Sequence, residues 1–310
     1  MSKLTDRSSF LAPLFVAAGL LLSGSSASAV ATSSGQAQDA AFEALLEAPD
    51  HRRRSMANAF LERHGESAPS SRVATARSIL GDALWQASCP KADDGLCIEI
   101  RNPSIGGNTC GEPLRGTIVP VARDSKLAAA ARTQLRGAVA LADADAPEDD
   151  VEARHLRAAI GRARVQLADA DLETLWGLPV PATFDAEDEE SSKAFEEFFS
   201  DMTRQGGSLT LAYKAVKSAG DPEWIVVAAA RTGMVYETPA EALSTMAFPK
   251  HLSGEQAPAS CETLEGMVEP IREQARVVYE WCIERADETG VESGATETCR
   301  ERLDALTNER

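Results

Sequence analysis

The sequence predicts an all-α chain of packed helical hairpins that carries one small disulfide-tied β-hairpin insert. Three observations predict it. Hydrophobic residues make up 44% of the chain but aromatic residues only 5%. Alanine therefore supplies much of the apolar share, which suits close helix packing and disfavours a β-sandwich. Apolar residues also recur at spacings of three and four along most of the chain. The one stretch that breaks this rhythm lies between Cys89 and Asp124, and it holds three of the six cysteines.

Residues 1–31 read as a cleavable export signal. Lys3 and Arg7 form the basic start, and Phe10 to Leu22 form the apolar run. Ala27-Ser28-Ala29 and Ala29-Val30-Ala31 offer cleavage near Ala29 or Ala31. An apolar run of this length is too short to cross a bilayer core of ~30 Å as a helix. No cysteine stands at the cleavage point, which argues against a lipid anchor. About 280 residues follow, enough for one large helical domain or two small ones.

Residues 32–38 are small and polar and read as a flexible mature N-terminus. Three N-terminal helices are predicted over 39–88. Phe42, Leu45 and Leu46 mark the first, which Pro49 ends. Asp50 is placed to cap the second, with Met56 and Phe60 on one face and Gly65 as its stop. The third carries Val73, Ala76, Leu80, Leu84 and Ala87.

Residues 89–124 form the cysteine-containing insert, a β-hairpin or pair of extended segments. Its two β-branched runs are Leu96 to Ile100 and Thr117 to Val121, with Gly106-Gly107 between them.

The helical domain is predicted over 125–310. Leu127, Ala131, Leu135 and Ala138 make one stripe, closed by the acidic loop Asp143 to Asp150. A longer helix carries Leu156, Ala159, Ala163 and Ala170 and ends at Gly177. The acidic run Asp185 to Glu190 opens the next, where carboxylates suit the helix dipole without any calcium. Gly206-Gly207 should break that helix. Asp221-Pro222 is a strong start for the next one, apolar almost all round from Trp224 to Tyr236 and therefore buried. Pro239 should end it, leaving a further turn or two from Leu243 to Phe248. Leu264, Val268, Ile271, Ala275, Val278 and Cys282 make a regular packing seam, and a final helix runs through Cys299 and Leu303. The total is about ten helices.

All six cysteines are expected in structural disulfides. Cys261 and Cys282 are about 30 Å apart if one helix joins them, too far to bond. Cys282 and Cys299 are nearly equidistant from the turn at Thr289 to Gly294, so an antiparallel hairpin brings them together. With all six paired, one bridge must join the insert to Cys261. Cys97–Cys110 with Cys89–Cys261 is the first choice, and Cys89–Cys97 with Cys110–Cys261 the second. There is no C-x-x-C, and His51, His64, His155 and His251 do not cluster at metal-ligand spacing, so no cofactor or metal is expected.

Ala275, Tyr279 and Cys282 repeat the small–aromatic–small spacing of tetratricopeptide helices, and Gly233 with Tyr236 matches the preceding helix type. No 34-residue period runs along the whole chain. Leu84-Trp85, Cys89-Pro90, Gly95-Leu96-Cys97, Cys110-Gly111, Val121-Ala122-Arg123-Asp124, Asp221-Pro222-Glu223-Trp224, Cys261, Cys282 and Cys299-Arg300-Glu301 extend the match. Over roughly 70–305 the chain resembles exported tetratricopeptide-like envelope proteins of gliding bacteria. It departs from them in its weak repeat signature and short Cys97–Cys110 segment. The resemblance implies an α-solenoid-like array, some of whose members serve as binding surfaces in envelope-spanning motility machinery.

Candidate chemistry is sparse. Ser88-Cys89-Pro90-Lys91 satisfies S-x-x-K, but the proline defeats the required helical geometry and no S-D-N or K-T-G follows. P-loop, G-x-S-x-G and H-E-x-x-H patterns are absent from the sequence. Carboxylate pairs such as Glu196 and Glu197 are too common among 48 acidic residues to nominate an acid. His155 reads as a helix-surface or core residue, Trp224 as a core anchor, and Arg52-Arg53-Arg54 as a solvated face. A net charge of −17 argues against nucleic acid and anionic lipid as partners. The sequence therefore points to a non-catalytic, exported periplasmic or envelope scaffold that binds envelope proteins. The alternative is an exported small-ligand binder or enzyme acting on envelope glycans or peptides in a helical cleft.

Overall fold

The computed structural model describes residues 26–89, 95–101, 109, 117–142, 147–181, 184–185, 188–247 and 256–308. The basic start and apolar run of the expected leader lie outside them, as do Lys91, Cys110, His251 and Phe248. The chain divides into two units, Met1–Ala40 and Ala41–Arg310.

The described part of the first unit belongs to helix α1 (Ser26–Leu46). Residues 32–38 lie within this helix, where a flexible terminus was expected. They contain no proline, and alanine and glutamine are good helix formers.

The second unit begins with the end of α1 and continues through α2 (Asp50–His64) and α3 (Ser70–Ala87). Asp50 is the first residue of α2 rather than its cap, and it pairs with Arg53 at 2.9 Å. The insert follows as β1 (Ile98–Arg101) and β2 (Thr117–Pro120), antiparallel with Ile98 opposite Pro120 and Ile100 opposite Ile118. Thr109 makes an isolated bridge to Ala247, so the insert reaches well beyond its own hairpin.

The remaining helices are α4 (Ser125–Ala140), α5 (Asp150–Trp176), α6 (Glu189–Val216), α7 (Pro222–Thr245), α8 (Gln256–Thr289) and α9 (Gly294–Asn308). Aspartate caps open four of them: Asp124, Asp149, Asp188 and Asp221 each accept from backbone N–H groups in the first turn. Each cap satisfies donors that have no partner inside the helix.

Two predicted breaks do not occur. Gly206-Gly207 lies inside the 28-residue α6. Glycine costs each position about 1 kcal/mol relative to alanine, and burial of Leu209, Tyr213 and Val216 just beyond it offsets that cost. Pro239 lies inside α7. The turns after it bury Ala240 and Leu243 in a cluster with Val268 and partly buried Phe195, Phe199 and Ile271. Tertiary packing thus carries the helix through a residue that supplies no N–H. With these continuities the described residues form nine α-helices, where about ten were expected.

Within the second unit the helices form two rows. Each helix from α2 to α9 packs on its neighbour in sequence, and α3, α5, α7 and α9 also pack on one another in succession. Helices α4, α6 and α8 lie chiefly against this row rather than against each other. The core is correspondingly divided, with one cluster around Trp85 and Phe60, one around Leu172, Tyr213 and Val235, and one around Tyr279 and Cys282.

Candidate functional site

The α3–α5–α7–α9 row is stitched by charge. Asp82 on α3 meets Arg162 on α5 at 3.2 Å. Seven residues on, Asp169 of α5 meets Arg231 of α7 at 3.5 Å, with both side chains almost fully buried. Six residues past Arg231, Glu237 of α7 meets Arg302 of α9. Arg302 donates from Nε to both Glu237 oxygens at 2.9 Å and from Nη2 to Glu241 at 3.0 Å. Burial lowers the Arg302 pKa, but Glu237 together with Tyr279 and Glu241 outweighs it, so the guanidinium is held above its ordinary value and stays charged.

The intervening helices complete the unit. Tyr213 of α6 donates its hydroxyl to Asp169 at 2.7 Å, and Tyr279 of α8 donates to Glu237 at 2.8 Å. An acid on one row helix, a tyrosine on the next helix and an arginine on the next row helix thus occur together twice. Burial raises the Tyr213 phenol well above its ordinary value, and the Asp169 charge raises it further.

Gly233 sits where this geometry leaves no space. A Cβ there would overlap the Tyr279 ring. The small residue and the aromatic that carried the tetratricopeptide resemblance therefore touch each other. Gly161 similarly receives Trp224, where a Cβ would meet the Trp224 side chain at 2.7 Å.

A second constellation locks the insert. Arg123, just before α4, stacks on Trp85 at 3.7 Å and forms a bidentate pair with Glu173 of α5 at 2.6 and 2.8 Å. It also donates to the Trp85 and Gly95 carbonyls at 2.9 and 3.1 Å. The Cys97 N–H donates to Glu173 at 2.7 Å, and the Val121 N–H donates to the Cys97 carbonyl at 2.7 Å.

These contacts bring Cys97 back to the end of α3, where it bonds Cys89 across 5.7 Å between Cα atoms. This corrects the first-choice pairing of Cys97 with Cys110 and Cys89 with Cys261. Gly95, between the two bonded cysteines, adopts φ +82°, a conformation that glycine takes without strain. Cys282 and Cys299 are bonded, with Cα atoms 6.4 Å apart. Cys261 is also disulfide-bonded.

The remaining nominated residues stay apart. The Ser88 hydroxyl donates to the Trp85 carbonyl at 2.6 Å. Glu196 and Glu197 are exposed on α6, and His51 and His155 are exposed on α2 and α5. His64 packs on Phe60. Arg53 folds back on Asp50 and the Ala48 carbonyl, whereas Arg52 and Arg54 face solvent. Trp224 is partly buried, with Arg162 over its ring at 5.2 Å. Among the described residues no group of three or more histidine, cysteine or carboxylate side chains has metal-binding geometry. No helix among them is long and apolar enough to cross a membrane.

The opposite helix row leaves two grooves. One runs between α4 and α6 over α5 and is lined by Arg132, Arg136, Arg164 and Leu167. The other runs between α6 and α8 over α7. Its floor is Ile225, Ala228 and Ala229, and its walls carry Lys214, Lys217 and Trp281.

Sequence reasoning passed over Asp82, Asp169, Glu237, Arg162, Arg231 and Arg302. A signal for some of them was present: Asp169 sits between alanines, and Arg231 follows Ala228-Ala229-Ala230. A charge inside a run destined for burial requires a partner.

No family model matches the chain, nor does any curated protein or solved structure.

Proposed function

We propose that this chain is an exported, envelope-associated scaffold of the tetratricopeptide-like kind. It mediates protein–protein interaction without catalysis, within an assembly such as an envelope-spanning motility complex. The recurrence of the acid–tyrosine–arginine unit, Asp169/Tyr213/Arg231 and then Glu237/Tyr279/Arg302, carries this reading. A unit repeated one helix pair later is the signature of an array in which each pair packs on the next, and such arrays present extended binding surfaces. The disulfides support an oxidising compartment.

Affinity capture of the tagged mature protein from lightly crosslinked native envelopes tests the reading. A stoichiometric protein partner is the expected result. Recovery of the protein alone across several crosslinkers overturns it and moves attention to envelope glycans and peptides as ligands.

A further inference from the structure

We infer that the face carrying α4, α6 and α8 docks an acidic amphipathic helix of a partner protein, seated over α7 between α6 and α8. This rests on the scaffold reading and names the partner's chemistry.

The charge distribution is the first argument. The chain holds 48 acidic residues against 31 basic ones. Yet among the described residues no acid lines the α6–α8 groove, and the neighbouring α4–α6 groove has one, Asp171. Arg132, Arg136, Lys214 and Lys217 line these grooves, and none has a carboxylate partner. Arg164 is spent on the Ala215 carbonyl and the Ser218 hydroxyl, both uncharged. Arginines elsewhere on α8 are paired: Arg272 with Glu265, Arg276 with Glu269 and Glu273, Arg285 with Glu288. Among the described residues the cations lining these two grooves are left without a carboxylate partner.

The second argument is apolar exposure at the same place. Val277 is 54% exposed and Trp281 38%, both on the α8 wall, and Leu211 on α6 is 68% exposed. Helical spacing puts Leu211 on the crest of α6 between the two grooves, one turn before Lys214. The groove over α7 has a volume of about 560 Å³, with small side chains, Ala228 and Ala229, on its floor. Two helices flanking a third, with the small Ala228 and Ala229 between them, leave a slot that takes the anchoring side chains of a helix laid along it. Apolar anchors at i, i+3/i+4 and i+7 fill such a slot.

The overall charge selects the occupant. At −17 the chain repels an extended polyanion or an anionic bilayer at long range. A helix with a narrow apolar stripe and a few flanking carboxylates gains the contacts to Lys214 and Lys217 while carrying far less charge to be repelled.

The test uses the mature full chain and two labelled synthetic peptides of about five helical turns. They share one leucine stripe, flanked by glutamates in one and lysines in the other. The glutamate-flanked peptide should bind at least about tenfold more tightly by fluorescence anisotropy. K214E/K217E should abolish that preference, and W281A should weaken both peptides. Equal affinity for the two peptides, or binding of neither, overturns the proposal. So does a dimer, seen by sedimentation, that K214E/K217E dissolves, because a second copy would then fill the groove. Envelope capture separates the two readings. A partner retained equally by wild type and K214E/K217E overturns this surface and leaves the scaffold standing. Loss of every partner in both overturns the scaffold itself.

Discussion

Arg162, Arg231 and Arg302 enter the contacts of the α3–α5–α7–α9 row and each meets an acid there, whereas Arg132, Arg136, Lys214 and Lys217 on the other face meet none among the described residues. The same residue types answer to different constraints. A guanidinium sealed between helices must be matched, because an unpaired buried charge is prohibitively costly. Matching fixes which helix faces which, so the ladder sets the register of the row. A cation in an open groove is solvated and costs nothing to leave alone. Its arrangement is then free to serve a partner.

If this division holds, damage to the ladder unfolds the protein and damage to the groove does not. R302M gives the largest effect, because it strands Glu237 in the interior. A loss of about 3–5 kcal/mol is expected from denaturant unfolding. E237Q/R302M should recover much of it, since the stranded charge is then gone. A small loss in R302M alone would mean the row is held by packing only.

C282A/C299A removes a bridge that closes a 17-residue separation between α8 and α9. About 3 kcal/mol should disappear.

Y213F removes the hydroxyl donated to Asp169 and should cost about 1.5–3 kcal/mol, as for hydrogen bonds to charged groups. Its pH dependence is more specific. The folded state holds the Tyr213 proton more tightly than the unfolded chain, whose value is near 10.0. The contribution is therefore complete below that pH and declines as the pH rises above it. Wild type should lose stability there more steeply than Y213F in urea titrations at increasing pH.

G233A sharpens the geometry of the repeat, since the added methyl meets the Tyr279 ring. Overpacking of this kind costs about 1–3 kcal/mol, measurable as a lower thermal midpoint. K214E/K217E should change stability by no more than about 0.5 kcal/mol, as exposed substitutions do. A large destabilisation there would erase the distinction between the two faces.

Helix periodicity was legible wherever an apolar stripe was long. The α5 stripe through Leu156, Ala159 and Ala163 is buried as its spacing implies. The Cys282–Cys299 bridge was legible because both residues flank one turn. The Cys89–Cys97 bridge was legible only as the second of two pairings, because Cys97 is held by Glu173, which lies 76 residues beyond it. The continuities at Gly206-Gly207 and Pro239 were missed because local propensity reports only the isolated helix, whereas Leu172 and Val235, clustered with Leu209 and Tyr213, and Phe195, Phe199 and Val268, clustered with Leu243, come from other helices. The grooves left no trace in the sequence. Lys214, Ile225 and Trp281 lie on three different helices, and only packing brings them to one slot.

By itself the sequence determined the helical class, the position of the insert, the aspartate start at Asp221 and the hairpin disulfide. These depend on the chain within a few turns of each residue, where spacing and capping act. The tertiary structure decided the pairing of Asp82 with Arg162, Asp169 with Arg231 and Glu237 with Arg302, across 80, 62 and 65 residues. It also decided which cations remained unmatched. Opposite charges that far apart in sequence attract only once hydrophobic packing has brought their helices together and excluded water. That is a property of the folded whole and of no local pattern.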